Sequence, residues 1–277
     1  MPGYKHIIIL LVLTIGLIIP SFAQDWEVGA WGGFSNYFGD LNTHVSFEYI
    51  GPGTGFFARY NISTRFANKS DINYGIVSAN DASSSDPFEK ARNLSFKSNI
   101  VEVSDELEFN FFKYDKHKPE FAFTPYLFVG LSAFYFNPVA NYQGVNYSLQ
   151  PIGTEGQNAP GNSKYVRVSA AIPVGGGFKY SFHPAWTLGA EIGFRKTLTN
   201  YLDDVASVYP TKVVSYTTSS AIARALSDRS GEVGEPIGTP GKQRGTNNNA
   251  TDSYMFLGLT ISYTMLKMHC PKISNIH

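Results

Sequence analysis

Hydrophobic and polar residues alternate at every second position in eight separate segments of the chain. The clearest case is 186–201, where apolar residues share one face and Thr187, Glu191 and Arg195 share the other. Alternation with a period of two predicts β-strands that present two different surfaces. The predicted strands cover residues 26–35, 55–62, 66–77, 99–112, 121–136, 166–180, 186–201 and 253–264.

The connections between these segments alternate between long and short. In an antiparallel sheet, alternate connections emerge at opposite ends, so the long connections share one end and the short ones share the other. This sorting is typical of outer-membrane barrels, which carry long external loops and short periplasmic turns. We therefore predict an all-β fold, an eight-stranded antiparallel transmembrane β-barrel. The long connections are 36–52, 78–98, 137–165 and 202–252, and the short ones are 63–65, 113–120 and 181–185.

The fourth long loop, 202–252, differs in composition from the strands. It is rich in Ser, Thr, Gly, Pro and Asn, and loops of this length are usually functional or disordered. The composition favours partial disorder in this external loop.

The overall composition fits a barrel better than a soluble enzyme. Charged residues make up 16% of the 277 residues and aromatic residues 15%, whereas soluble domains contain roughly 25% charged residues. Mean hydropathy is nevertheless −0.13, because half of each predicted strand faces a polar interior while the other half faces lipid. The formal net charge of zero leaves no basic excess to attract nucleic acid.

The first 23 residues are predicted to be a signal peptide. Lys5 precedes an apolar run over 7–19, and small residues precede a cleavage point after Ala23. The run is shorter than the roughly 20 residues that span a bilayer, although a retained anchor helix is the alternative. We expect residues 24–277 to form a barrel in the outer membrane, with outer-membrane lipid around it, both termini in the periplasm and 265–277 as a periplasmic tail.

Charged residues occupy the polar faces of the predicted strands. An eight-stranded barrel is narrow enough for side chains to fill, so charges of mixed sign can pair inside it. We expect a satisfied polar core, and a charged pore or proton path is the alternative. The predicted interior charges are Glu27, Arg59, Glu102, Glu106, Glu108, Arg167, Lys179, Glu191 and Arg195.

Catalytic and metal-binding patterns are sparse. His269 and Cys270 are adjacent, but adjacent residues alone are weak evidence for a metal site. His44 and Ser46 form the one nearby His–Ser pair in an external loop that a lipid-modifying enzyme could use. We predict a protein that is not an enzyme and that uses no cofactor or metal.

Several stretches resemble the PorG-like outer-membrane barrels of Bacteroidota, which are components of the type IX secretion system. The resemblance covers nearly the whole mature chain in matching order and implies a part in protein secretion. It rests on YFGDLN at 37–42, RYN at 59–61, RNLSF at 92–96, ELEFNFF at 106–112, TPYLFVG at 124–130, FNP at 136–138 and the closing strand 257–263 followed by Cys270-Pro271.

The resemblance also implies a periplasmic partner, a ring built from a lipoprotein and a second protein. A single cysteine in an exported protein is either a free thiol or part of an intermolecular bond, so Cys270 is a candidate for a disulfide or docking contact with a ring subunit. An inert tail thiol is the alternative. Basic residues on the predicted periplasmic side are further candidates for partner binding: Lys113, Lys116, Lys118, Lys267 and Lys272.

Two functions follow from these observations. The first is a non-enzymatic structural component of the secretion machine. The second is a stand-alone small barrel that acts through its external loops as an adhesin or envelope-stability protein.

Overall fold

The computed structural model describes residues 26–43, 46–159, 161–205, 208–210, 218–245 and 251–265. The predicted signal peptide, His44, and the tail residues Lys267, Cys270 and Lys272 lie outside these ranges. None of the described helices is long and apolar enough to cross a membrane.

Eight antiparallel strands form a closed barrel, as predicted. Each strand pairs with its neighbours, β1 pairs with β9, and the pairing of β4 with β5 completes the ring. The ninth strand, β6, extends β5 as a short hairpin outside the ring. The strands are β1 Trp26–Phe38, β2 Gly51–Asn61, β3 Phe66–Asn80, β4 Ser95–Asn110, β5 Phe123–Tyr142, β6 Val145–Ser148, β7 Val168–His183, β8 Trp186–Thr197 and β9 Ser253–Met265.

The barrel has two different ends. The end that carries connections 39–50, 81–94, 143–167 and 198–252 is called the loop end here, and the opposite end, with connections 62–65, 111–122 and 184–185, is called the turn end. Trp26 pairs with Met265 at the turn end. The described barrel therefore begins and ends at the same rim.

The hairpin formed by β5 and β6 was missed by the sequence prediction, which ended the fifth strand at residue 136. Gln143 and Gly144 connect the two strands with φ values of 51° and 81°. A two-residue turn with both φ angles positive matches the right-handed twist of a hairpin. β5 therefore extends beyond the barrel wall, and its pairing with β6 lies at the loop end.

The outer surface of the barrel is apolar and the inner surface is polar. Phe56, Leu131 and Leu259 are 72%, 73% and 71% exposed and point outward. Their strand neighbours at alternate positions point inward and are mostly buried. A closed barrel satisfies its own backbone hydrogen bonds and can bury such a surface in lipid.

Glycines in β7 and β8 make room for an interior ring. Gly175 pairs with Gly193 across the two strands, and a Cβ added to Gly175 would lie 2.5 Å from Cζ of Phe128 and 2.2 Å from the Ile192 carbonyl oxygen. The glycine run at 175–177, which the sequence could assign to a bend or to close strand packing, therefore serves close packing.

The loop end is folded into a compact cap. Three helices belong to it, α1 Pro87–Arg92, α2 Leu149–Ile152 and α3 Thr218–Ser227. Apolar residues of the loops and the upper strand ends form one buried cluster. In the described part of 202–252, Leu202, Ala223 and Leu226 are buried. Leu202 and Leu226 belong to the same buried cluster as strand-end residues that include Tyr37, Phe96, Phe136 and Tyr254. Partial disorder in this loop stays a prediction.

The charged interior and the closed ends of the barrel

Near the turn end, Arg59 lies between two carboxylates. Its Nη1 is 3.1 Å from Oε2 of Glu27, and its Nε is 3.0 Å from Oε1 of Glu108. The second oxygen of Glu108 pairs with Nζ of Lys179 at 2.7 Å. Inward positions of β1, β2, β4 and β7 thus bring four of the predicted charges into one cluster.

A second cluster lies nearer the loop end. Lys69 Nζ is 2.8 Å from carboxylate oxygens of both Glu106 and Glu191. Arg195 reaches Glu102 at 3.4 Å and Glu106 at 3.6 Å. The mixed-sign side chains therefore pair across the lumen instead of lining an open path.

Two members of the network were absent from the sequence prediction. Lys69 and Asp71 are buried inside the barrel and lie 3.5 Å apart. Their signal was present in the sequence, because they alternate with the outward-facing Ile72 and Tyr74 along β3. With Lys116, described below, the described residues place six carboxylates and five cations in the interior: Glu27, Asp71, Glu102, Glu106, Glu108 and Glu191 against Arg59, Lys69, Lys116, Lys179 and Arg195. This near balance leaves no strong field of one sign.

Aromatic rings fill the space between the ion pairs. Lys179 Nζ lies 4.8 Å from the ring centre of Tyr126, and Arg195 Cζ lies 4.8 Å from that of Phe256. Tyr126 donates its hydroxyl to Glu191 Oε2 at 2.6 Å. Cation–π contacts of this kind are favourable when the cation is desolvated. A small void beside Arg195 and Phe256 has a volume of about 10 Å³, which is about the space of one water molecule.

Arg167 is separate from this network, although it was predicted to share it. It precedes β7 at the loop end, is only partly buried, and donates from Nη1 to Asn137 Oδ1 at 2.7 Å. Its guanidinium also lies 5.6 Å from the ring centre of Tyr135. Arg167 lies outside the interior network because it precedes β7, at the rim of the loop end.

The connection 111–122 closes the turn end from inside. Lys116 forms an ion pair with Glu27 and donates to Thr264 Oγ1 at 2.6 Å. Tyr114 is buried, and its hydroxyl lies 2.9 Å from Thr187 Oγ1. Lys116 was predicted on the partner-binding rim, but the structure places it inside because the Glu27 carboxylate draws it there. Lys113 and Lys118, from the same connection, are exposed.

Two arginines hold the cap together at the loop end. Arg92 bonds Asp81 through Nε at 2.7 Å and Nη2 at 2.8 Å, and it also donates to the backbone oxygens of Asp40 and Arg244. Arg244 donates to the Asp204 carbonyl oxygen at 2.8 Å and forms an ion pair with Glu155. All four long loops are joined through these two side chains.

A group of carboxyls lies beneath the cap. Tyr37 donates its hydroxyl to Asp203 at 2.6 Å and contacts Asp252 at 3.1 Å. Burial raises the pKa of Asp252 to about 8, and the nearby charge of Asp40 adds to the effect. Burial likewise raises the pKa of Asp204 to about 7 and the pKa of Asp203 well above its usual range. Burial therefore shifts all three groups toward the protonated form.

The described residues contain no group of three or more His, Cys, Asp or Glu side chains arranged to hold a metal ion. Ser46, half of the His–Ser pair considered for catalysis, accepts hydrogen bonds from Asn36 and Asn42 through its backbone oxygen. His44 lies outside the described residues. The charged side chains of the interior pair with one another. Among the described residues, their arrangement indicates no position at which a substrate would react.

Known proteins resemble the chain in fold at low sequence identity. Ail, the attachment invasion locus protein of Yersinia pestis, solved with the heparin analogue sucrose octasulfate, is 10% identical over 87% of this chain and 97% of its own, with a TM-score of 0.40. OprG of Pseudomonas aeruginosa is 10% identical over 88% and 96%, with a TM-score of 0.42. Neisserial surface protein A is 11% identical over 87% and 97%, with a TM-score of 0.41.

No curated protein matches the chain. One family model, described as a domain of unknown function, DUF6089, matches residues 5–213. The match covers most of the chain, from the predicted signal peptide into the fourth long loop. The chain therefore belongs to the DUF6089 family.

Proposed function

We propose that this protein is a non-enzymatic outer-membrane barrel that anchors a type IX secretion machine. The observation that carries the proposal is the filled lumen, in which paired charges occupy the centre and Lys116 lies inside the turn end. In the described part of the chain, a lumen filled by paired side chains is suited to a scaffold. The sequence stretches that resemble PorG-like barrels support the choice of machine.

The turn end is the proposed surface for the periplasmic ring. The connection 111–122 contacts β9 through Lys116 and Thr264, one residue before the strand ends at Met265. The exposed Lys113 and Lys118 therefore lie on the connection that reaches the end of β9. The following residues add Lys267, Cys270 and Lys272. A ring subunit with an acidic surface fits such a basic rim, and Cys270 supplies the proposed disulfide.

A gene deletion with complementation tests this function. We expect loss of secretion in the deletion strain, rescue by the full chain, and no rescue by a chain that ends at Met265. Membrane fractionation and heat-modifiable migration verify that the shortened barrel still inserts and folds. Undiminished secretion in the deletion strain would refute the proposal.

The ring contact needs a separate test. Lys113→Glu with Lys118→Glu is expected to reduce crosslinking to ring subunits, whereas Lys164→Glu at the loop end serves as the matched control. Cys270→Ser should remove a high-mass species from non-reducing gels of native membranes. If that variant leaves every high-mass species unchanged, the contact is not covalent.

The cap favours a second candidate, an adhesin or envelope-stability protein. Arg92 and Arg244 join the described parts of the loops into one surface. This function predicts that loop substitutions impair cell adhesion or envelope integrity while secretion continues. Secretion that fails with intact adhesion and intact envelope supports the first candidate.

A further inference from the structure

An ionisable residue lies in the middle of the lipid-facing surface. Asp105 is exposed on the outside of β4, four residues from Phe109 on one side and four from Val101 on the other. With a rise of 3.3–3.4 Å per residue and a strand tilt of 35–45°, each interval is about 10 Å along the barrel axis. Leu131 is its outward-facing neighbour on β5. Asp105 therefore lies near the centre of the apolar belt.

Neighbouring polar side chains hold the carboxyl group in place. Asn68 donates from Nδ2 to both carboxyl oxygens of Asp105 at 3.1 Å, and Ser70 donates to Oδ1 at 2.7 Å. Asn68 Nδ2 also reaches the Glu106 carbonyl oxygen at 3.4 Å. The local donors are thus engaged, whereas a carboxylate has about four acceptor positions. The cluster presents remaining acceptor capacity to the lipid.

We propose that Asp105, with Asn68 and Ser70, is a docking site for an arginine or lysine side chain that a different membrane protein presents within the bilayer. An ionised group facing lipid is costly, and such groups usually pair with a partner. Among the described residues, no ion pair reaches Asp105. A cation at the same depth would complete the pair. This inference goes beyond the secretion proposal and does not depend on it.

The surface around Asp105 permits close approach. Ala58, Ser70 and Asp105 lie side by side across β2, β3 and β4. Small side chains allow another transmembrane segment to approach the backbone closely. Larger outward-facing side chains, Phe56 and Leu107, lie two positions from Ala58 and Asp105 on the same strands.

Charge complementarity argues against a second copy of this chain as the occupant. Copies inserted in the same orientation would bring Asp105 against an identical carboxyl group at the same depth. In the strands described here, the outward-facing cations are Lys97 and Lys196, near the loop end. Lys97 is eight residues from Asp105 along β4. A second copy therefore offers no matching cation.

A transmembrane peptide provides a defined probe. The full chain is reconstituted in phosphatidylcholine vesicles with a labelled polyleucine helix of about 20 residues that carries one central arginine. Energy transfer is measured between the peptide and a donor on the barrel, with otherwise identical peptides carrying glutamine or glutamate. We expect the arginine peptide to bind about tenfold more tightly than the glutamine peptide.

Two variants make the result specific. Asp105→Asn should abolish the preference for arginine, and Leu259→Asn, which also adds an amide to the lipid face but on β9, should retain it. Equal binding of the three peptides would overturn the proposal. A preference for arginine that survives Asp105→Asn would overturn it as well. Barrel-to-barrel energy transfer that depends on Asp105 and excludes the peptide would assign the surface to a second copy.

Discussion

Arg92 and Asp81 form a bidentate ion pair beneath the external loops, with donor–acceptor distances of 2.7 and 2.8 Å. Both side chains are buried. The same guanidinium bonds the backbone of two other loops, so this pair joins three of the four long loops.

Replacing Arg92 is expected to destabilise the cap. Arg92→Leu leaves the Asp81 carboxylate buried without its cation, which costs about 3–5 kcal/mol. The loss should appear in urea unfolding and in faster proteolysis of the described part of 198–252. Lys90→Met, an exposed change on the same helix, is the control. Equal stability of both variants would show that the ion pair does not hold the cap.

Replacing Arg59 is expected to destabilise the barrel itself. Arg59→Met removes the cation between Glu27 and Glu108. We expect a loss of about 3 kcal/mol, at the low end for a broken buried pair, because Lys116 and Lys179 each retain one of the two carboxylates. Urea unfolding followed by heat-modifiable migration measures the loss. Adding Glu108→Gln, which leaves the buried Lys179 without its carboxylate, should lower the stability further, and a gain in stability would contradict this assignment.

The cap is expected to loosen as the pH rises. Burial raises the pKa of Asp204 to about 7 and that of Asp252 to about 8, from ordinary values of 3.8. A carboxyl group that binds its proton more tightly in the folded state stabilises folding at low pH, and ionisation opposes folding. The stabilisation is therefore complete below about pH 4 and is lost as the pH rises through 7 to 8.

Limited proteolysis of the loops between about pH 5 and pH 9 measures this dependence. Asp252→Asn should weaken this pH dependence, because the amide does not ionise. The Tyr37 hydroxyl can reorient toward the amide. Glu235→Gln, an exposed change in the same loop, should leave the pH profile as it is. An unchanged profile for Asp252→Asn would contradict the assignment.

Gly175 is expected to tolerate no larger side chain. A Cβ there would lie 2.2 Å from the Ile192 carbonyl oxygen and 2.5 Å from Phe128, so Gly175→Val should cost about 1–3 kcal/mol or prevent folding. Gly32 has nothing within 4 Å of an added Cβ, and Gly32→Val is the matched control. Urea unfolding compares them, and similar midpoints would refute the packing argument.

The barrel could be predicted from the sequence because the alternation of polar and apolar residues shows which side chains of a strand share a face. Glu102, Glu106 and Glu108 alternate with apolar residues, and this period alone places them on one side of β4. Lys69 and Asp71 show the same alternation, but they lie on a less apolar strand and were absent from the predicted interior charges. Local alternation therefore identifies the interior wherever the outward face is clearly apolar.

The two closed ends did not follow from the sequence because long-range contacts create them. Lys116 bonds Thr264 across 148 positions of the chain, and nothing in the local pattern of 111–122 indicates a fold into the barrel. The cap likewise depends on Arg92 meeting residues of other loops. The composition of 202–252 likewise did not indicate that Leu202 and Leu226 are buried, because the apolar surface they pack on comes from other parts of the chain.

The pairing of Trp26 with Met265 has a consequence for the order of assembly. Because β1 pairs with β9 as well as with β2, the first strand lacks its second neighbour until the last strand has been synthesised. Glu27 accepts a hydrogen bond from Ser262 at 2.8 Å, and Lys116 reaches Thr264 next to it. Contacts so distant in sequence form late, because the closure of a long loop must precede them. The pairing that closes the wall therefore also brings Ser262 to Glu27 and Thr264 to Lys116, so closure of the barrel adds two of the contacts that hold the turn end.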